Sequence, residues 1–79
     1  MNSKHNKWKT RITYNSDMLN GNPCIRNMRI TVKDIMSYLS AGMTVEELLS
    51  DFPYLEKEDI IACFAYCVDN TNFTHSGIV

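Results

Sequence analysis

The sequence predicts a mainly α fold: a three-helix core of the helix-turn-helix pattern, preceded by a short N-terminal β arm and paired across a dimer. Three observations predict it. Two apolar stripes at helical spacing each begin on a threonine cap, and the second is followed by a run of nine apolar residues, Ile60 to Val68. Ahead of them, Trp8 to Tyr14 alternates apolar and polar residues in the manner of a half-buried strand. Finally, apolar side chains nearly encircle the third helix, so one small subunit covers only part of it and the rest meets a second element or a second copy.

Length and composition bound the architecture. A chain of 79 residues makes one domain at most, and a domain of that size gains from an added interface. Residues 8–69 are assigned to it, with 8–31 as the β arm and 32–69 as the helical core. Residues 1–7 are expected to be a flexible N-terminus and 70–79 a mobile tail. Three cysteines, Cys24, Cys63 and Cys67, fit no disulfide framework and suit a reducing cytoplasm. The longest apolar run is half of what a membrane span needs, so no membrane is expected.

The net charge of −1 hides a segregation. Residues 1–33 carry Lys4, Lys7, Lys9, Arg11, Arg26, Arg29 and Lys33 against Asp17, a balance of +6; residues 34–79 hold Lys57 against eight carboxylates, a balance of −7. Either the basic half faces a polyanion or an acidic surface, or it rests on the acidic half of a neighbouring copy.

Each element has its own signal. In the strand Trp8–Tyr14, Trp8, Thr10, Ile12 and Tyr14 share one face and Lys9, Arg11 and Thr13 the other. Asn15-Ser16-Asp17 and Asn20-Gly21-Asn22-Pro23 are turn chemistry, and a brief extended piece, Cys24 to Arg26, follows. Asn27 is placed at a positive-φ turn position, which Asn tolerates better than most residues. The first helix starts at Thr31, three residues before Asp34, and shows the stripe Val32, Ile35, Met36, Leu39 before Gly42 stops it. The second has the full Thr44–Glu47 box and the stripe Val45, Leu48, Leu49, Phe52, ended by Pro53. The third runs from Lys57 to Asp69, acidic at its leading end. On it, Ile60, Ile61, Phe64, Cys67 and Val68 are expected to share one face, with Ala62 and Tyr66 on the other and Cys63 and Ala65 between.

Few constellations carry chemistry. The first residues of the third helix, the ones that would enter a DNA groove, bear Glu58 and Asp59 just after Glu56; they repel phosphate and offer no guanine- or adenine-reading side chain. The DNA-contact candidates are instead the arm residues Lys9, Arg11, Arg26 and Arg29 with Lys33, the set a β-ribbon formed with a dimer mate would present. The alternative is that these are ordinary solubilising charges. Cys63 and Cys67, one helical turn apart, with Cys24 or His75, make a weak metal set, and no metal or other cofactor is expected. His5 and His75 fall in the tails, no Ser-His or Cys-His arrangement is legible, and so no catalytic residue and no enzyme activity is assigned. Asn72-Phe73-Thr74 fits a glycosylation acceptor but has no meaning without secretion. The candidate surface for a dimer or partner comprises Trp8, Ile12 and Tyr14 of the arm with Ala62, Cys63 and Tyr66 of the third helix.

The run Gly21-Asn22-Pro23-Cys24-Ile25-Arg26-Asn27-Met28-Arg29-Ile30-Thr31-Val32, followed by Ala41-Gly42-Met43-Thr44, Glu46-Glu47-Leu48-Leu49, Phe52-Pro53-Tyr54-Leu55, Asp59-Ile60 and Ala65-Tyr66, resembles the bacterial family named domain of unknown function 433. The resemblance covers about Ile12 to Val68. The family signature Gly-x-Pro-x-Ile-Arg-Gly-Thr-Arg is matched at Gly21, Pro23, Ile25, Arg26 and Arg29 and broken at Asn27 and Met28, where Met28 loses a hydroxyl. The resemblance implies a homeodomain-like helical core with an N-terminal β arm, usually dimeric, and an antitoxin of the VapB type paired with a PIN-like ribonuclease toxin. Such antitoxins also bind operator DNA. The expected function is therefore a cytoplasmic antitoxin that masks a ribonuclease and autoregulates its operon. The alternatives are a stand-alone dimeric DNA-binding regulator and a small assembly factor that only dimerises.

Overall fold

The computed structural model describes residues 8–70. The expected flexible N-terminus, all but the first residue of the expected tail, His5, His75 and the Asn72 acceptor lie outside the described residues. Within them the chain folds as two short antiparallel strands, β1 (Ile12–Thr13) and β2 (Cys24–Ile25), then three helices, α1 (Val32–Ser40), α2 (Val45–Asp51) and α3 (Lys57–Asp69).

Both threonine caps form as the sequence predicts. The Thr31 hydroxyl accepts from the Asp34 amide at 2.9 Å while the Asp34 carboxylate accepts from the Thr31 amide at 3.0 Å. Thr44 and Glu47 repeat the exchange at 3.0 and 2.8 Å. Each box satisfies amides that a helix start otherwise leaves without partners. Gly42, at φ +107°, ends the first helical stretch, and the Phe52 amide closes α2 on the Leu48 carbonyl just before Pro53. Val32 and Ile35 of α1, Leu48 of α2 and Leu55 of the α2–α3 turn are buried together with Ile60, Ala62 and Cys63 of α3.

The arm departs from the expected strand. Residues 8–10 form a 3-10 turn, in which the Arg11 amide donates to the Trp8 carbonyl at 2.9 Å, and pairing is confined to Ile12 opposite Ile25 and Thr13 opposite Cys24. The other side of β2 bonds back to the chain that follows it, through a Cys24–Thr31 bridge and the Ile25 amide on the Ile30 carbonyl at 3.0 Å. A two-residue turn at Arg26 and Asn27, both at positive φ (+44° and +61°), allows this tight return. Asn27 thus takes the backbone form expected of it, and Arg26 shares it. A buried strip, Ile12, Cys24, Ile25 and Ile30, seats the arm on the helices, and β1 packs against α3.

The expected face of α3 is corrected. Ile61, Phe64 and Val68 are exposed, and the buried positions are Asp59, Ile60, Ala62 and Cys63. Among the described residues the Asp59 carboxylate finds its donors, Arg11, Arg26 and the Glu56 amide, on the inner side, and Ile60 with the small Ala62 and Cys63 packs into the core beside it.

Candidate functional site

The inner face of α3 holds an ion cluster. Asp59 is 0% exposed. Its Oδ1 accepts from Arg11 Nη1 at 2.8 Å and Arg26 Nε at 3.0 Å, and its Oδ2 accepts from Arg26 Nη2 at 2.8 Å and the Glu56 amide at 2.8 Å. Four donors therefore satisfy one carboxylate, and Arg26 grips it with two of them in the planar fork that guanidinium supplies. Arg26 Nη2 also reaches the Tyr54 carbonyl at 2.9 Å, and Arg11 Nη1 reaches Glu56 Oε1 at 2.7 Å. Burial pushes the Asp59 pKa upward; the hydrogen bonds from Arg26, the Glu56 amide and Arg11 outweigh it, so the group titrates below its ordinary 3.8.

The left-handed conformation of Arg26 is what aims its guanidinium at α3, and the 3-10 turn before β1 does the same for Arg11. The cluster fastens the arm, the β2 turn and the start of α3 to one another. Two of the five DNA-contact candidates, Arg11 and Arg26, are thereby engaged inside the chain, at side-chain exposures of 28% and 34%. Lys9 lies over the Trp8 ring, 5.8 Å from its centroid. Arg29 and Lys33 are exposed and make no side-chain hydrogen bond or ion pair among the described residues.

Beside the ion cluster lies an aromatic clasp. Trp8 meets the Tyr66 ring edge to face at 4.9 Å and donates its indole N–H to Asp69 at 2.6 Å, while the Tyr14 hydroxyl donates to that of Tyr66 at 3.0 Å. Burial, then the bond with Tyr14, pushes the Tyr66 pKa up to about 12, so the phenol stays protonated. Burial likewise pushes the Cys63 thiol up to about 12, which leaves it an inert core group. Among the described residues no three His, Cys, Asp or Glu stand together as a metal site, and no helix is long and apolar enough to cross a membrane.

Of the six interface candidates, Ile12, Ala62 and Cys63 are 4% exposed or less within the single chain and belong to its core. Trp8 and Tyr66 are half-buried against each other, and Tyr14 is exposed. The apolar surface that does face outward is Ile61 (55% exposed), Phe64 (45%) and Val68 (46%), at i, i+3 and i+7 along α3. Such spacing is that of anchor residues in helix-mediated recognition. Sequence reasoning set these three on one face with the buried Ile60, opposite Ala62 and Tyr66; the signal that separates them from Ile60 is Asp59, once its two arginines are known.

The fold and this surface define the class: a small, mainly helical domain whose strand arm is clamped by ion pairs onto its last helix, with an apolar stripe left open. Residues 12–67 match the family described as protein of unknown function (DUF433), and the chain belongs to that family. It is also 34% identical over 59 residues to the uncharacterized protein y4eO of Sinorhizobium fredii (strain NBRC 101917 / NGR234), over 75% of this chain and 27% of that relative. The chain thus spans about a quarter of the length of the curated relative it matches. No solved structure matches.

Proposed function

We propose that this chain is the antitoxin-like member of a toxin-antitoxin pair, an interaction module that holds a PIN-like ribonuclease toxin inactive in the cytoplasm. The observation that carries the reading is the open stripe Ile61, Phe64, Val68, since contiguous apolar side chains left in water mark a contact surface. The family resemblance supplies the nature of the partner, and it also implies that α2, the turn and α3 form a homeodomain-like helix-turn-helix unit of a dimer. Co-expression of the chain with the product of the adjacent gene tests the proposal. Restored growth and a co-purifying complex are the expected results; a harmless neighbour that forms no complex would remove the idea.

A second reading, a dimeric regulator that binds its operator, is favoured by one observation, the exposed Arg29 and Lys33 near the start of α1, which make no side-chain hydrogen bond or ion pair among the described residues. It expects salt-sensitive binding to upstream DNA that weakens in Arg29→Ala and Lys33→Ala. Equal binding by both variants and the unaltered chain would count against it.

A further inference from the structure

The ties that hold residues 8–14 to the domain reach past the loop that follows them. Ile12 stands opposite Ile25 and Thr13 opposite Cys24, Arg11 meets Asp59 at 2.8 Å, Trp8 donates to Asp69 at 2.6 Å and Tyr14 to Tyr66 at 3.0 Å. A second copy of the chain offers the same partners to the same groups. The loop loses little by opening, because the hydrogen bonds of residues 16–21 stay within 15–22: the Met18 amide on the Asn15 carbonyl, the Gly21 amide on the Met18 carbonyl, and the Asn22 amide on the Leu19 carbonyl. It is also strained when closed. Leu19 (φ +52°) and Asn20 (φ +60°) both take the left-handed backbone, which is costly for a side chain of the leucine type. A strained hinge invites opening, and an extended one returns both residues to ordinary backbone. Drawn out, the ten residues 14–23 span roughly 35 Å, about the longest dimension of the described fold, 36 × 30 × 25 Å. The arm can therefore reach a neighbour.

We infer that residues 8–14 are exchanged between two copies of this chain. Each arm lies on the other copy's β2 and α3 and rebuilds the Asp59 cluster and the Trp8–Asp69 bond across the pair, with residues 15–22 as opened hinges. The inference requires no toxin and stands apart from the antitoxin reading. Arm contacts cancel between the closed and exchanged forms, so hinge strain weighs against the entropy of association. A closed arm on so short a tether acts at an effective concentration on the order of 1 mM, and relief of strain in two hinges lowers the concentration at which exchange prevails.

Light scattering of the full chain, refolded from urea at rising concentration, tests this. A dimer with a Kd below about 1 mM is expected. Leu19→Gly, which accepts the left-handed backbone, is expected to weaken that dimer at least about tenfold, and Leu19→Pro, which cannot take a positive φ, to strengthen it at least about tenfold, both with an unchanged circular dichroism spectrum. Met18 already has the extended backbone that suits a following proline (φ −134°, ψ 124°), so the strain falls on the turn itself. Opposite shifts in the two variants support exchange, since an ordinary contact through the Leu19 side chain is weakened by both. A chain that stays monomeric at about 1 mM, equal or same-direction shifts in the two variants, or a dimer that Phe64→Ser dissolves would each overturn the inference.

Discussion

The two faces of α3 reverse the ordinary distribution of polar and apolar groups. Inward points Asp59, a fully buried carboxylate, and outward point Ile61, Phe64 and Val68, each about half exposed. Burial of a charge is unfavourable unless its partners are complete, and here four donors complete them. Apolar exposure, by contrast, is tolerated by folding and leaves a face open to contact. The comparison teaches that on this helix the inner face is set by hydrogen-bond completeness, while the outer face is free of structural duty.

The sharpest way to break that contrast is Asp59→Ala, which removes the anion from between two guanidinium groups and takes the Glu56 amide's partner with it. Because Arg11 and Arg26 keep some access to water, the expected loss lies at the low end for broken buried pairs, about 3 kcal/mol. Urea unfolding followed by Trp8, the single tryptophan, measures it; a loss below about 1 kcal/mol would mean that the cluster does not hold the arm.

Next in size is the response to acid. Asp59 binds its proton less readily in the folded chain than its ordinary value of 3.8 dictates, so its contribution is whole above that value and is lost as pH falls toward the folded pKa. The stability gap between the unaltered chain and Asp59→Asn is therefore expected to be widest near neutrality and to close steadily below about pH 4. Glu56, Arg11 and Arg26 surround the group in both proteins, and neither arginine titrates there. A gap that stays constant down to about pH 2 would argue that the Asp59 charge has no part in stability.

The smallest expected effect belongs to the outer face. Ile61→Ser should change unfolding stability by no more than about 0.5 kcal/mol, the usual range for a surface change, while still weakening any contact made through the stripe. A loss as large as that of Asp59→Ala would erase the distinction between the two faces.

Much of the architecture was legible in the residues. Thr31 with Asp34, Thr44 with Glu47, the stop at Gly42 and the break at Pro53 are local chemistry, complete within three or four positions, and all of them stand where the spacing put them. The phase of α3 was not legible, because apolar side chains surround it and periodicity offers no preferred side. What fixes the phase is a contact with Arg11, 48 residues earlier, and another with Arg26, 33 residues earlier. Asp59 read as one of the acidic residues at the leading end of the helix, and nothing local distinguishes a carboxylate awaiting two distant arginines from one facing water. The arm strand was overextended for a related reason. Alternation from Trp8 to Tyr14 fits a strand, but the indole's bond to Asp69 and the Arg11 bonds to Asp59 and Glu56 favour a turn at residues 8–10.

The indole-to-carboxylate bond between Trp8 and Asp69 spans 2.6 Å across almost the whole described sequence. Where the polypeptide enters this unit and where it leaves are therefore neighbours in space. A building block with adjacent terminals can be set into a loop of a larger protein by short connectors, leaving its host's scaffold undisturbed.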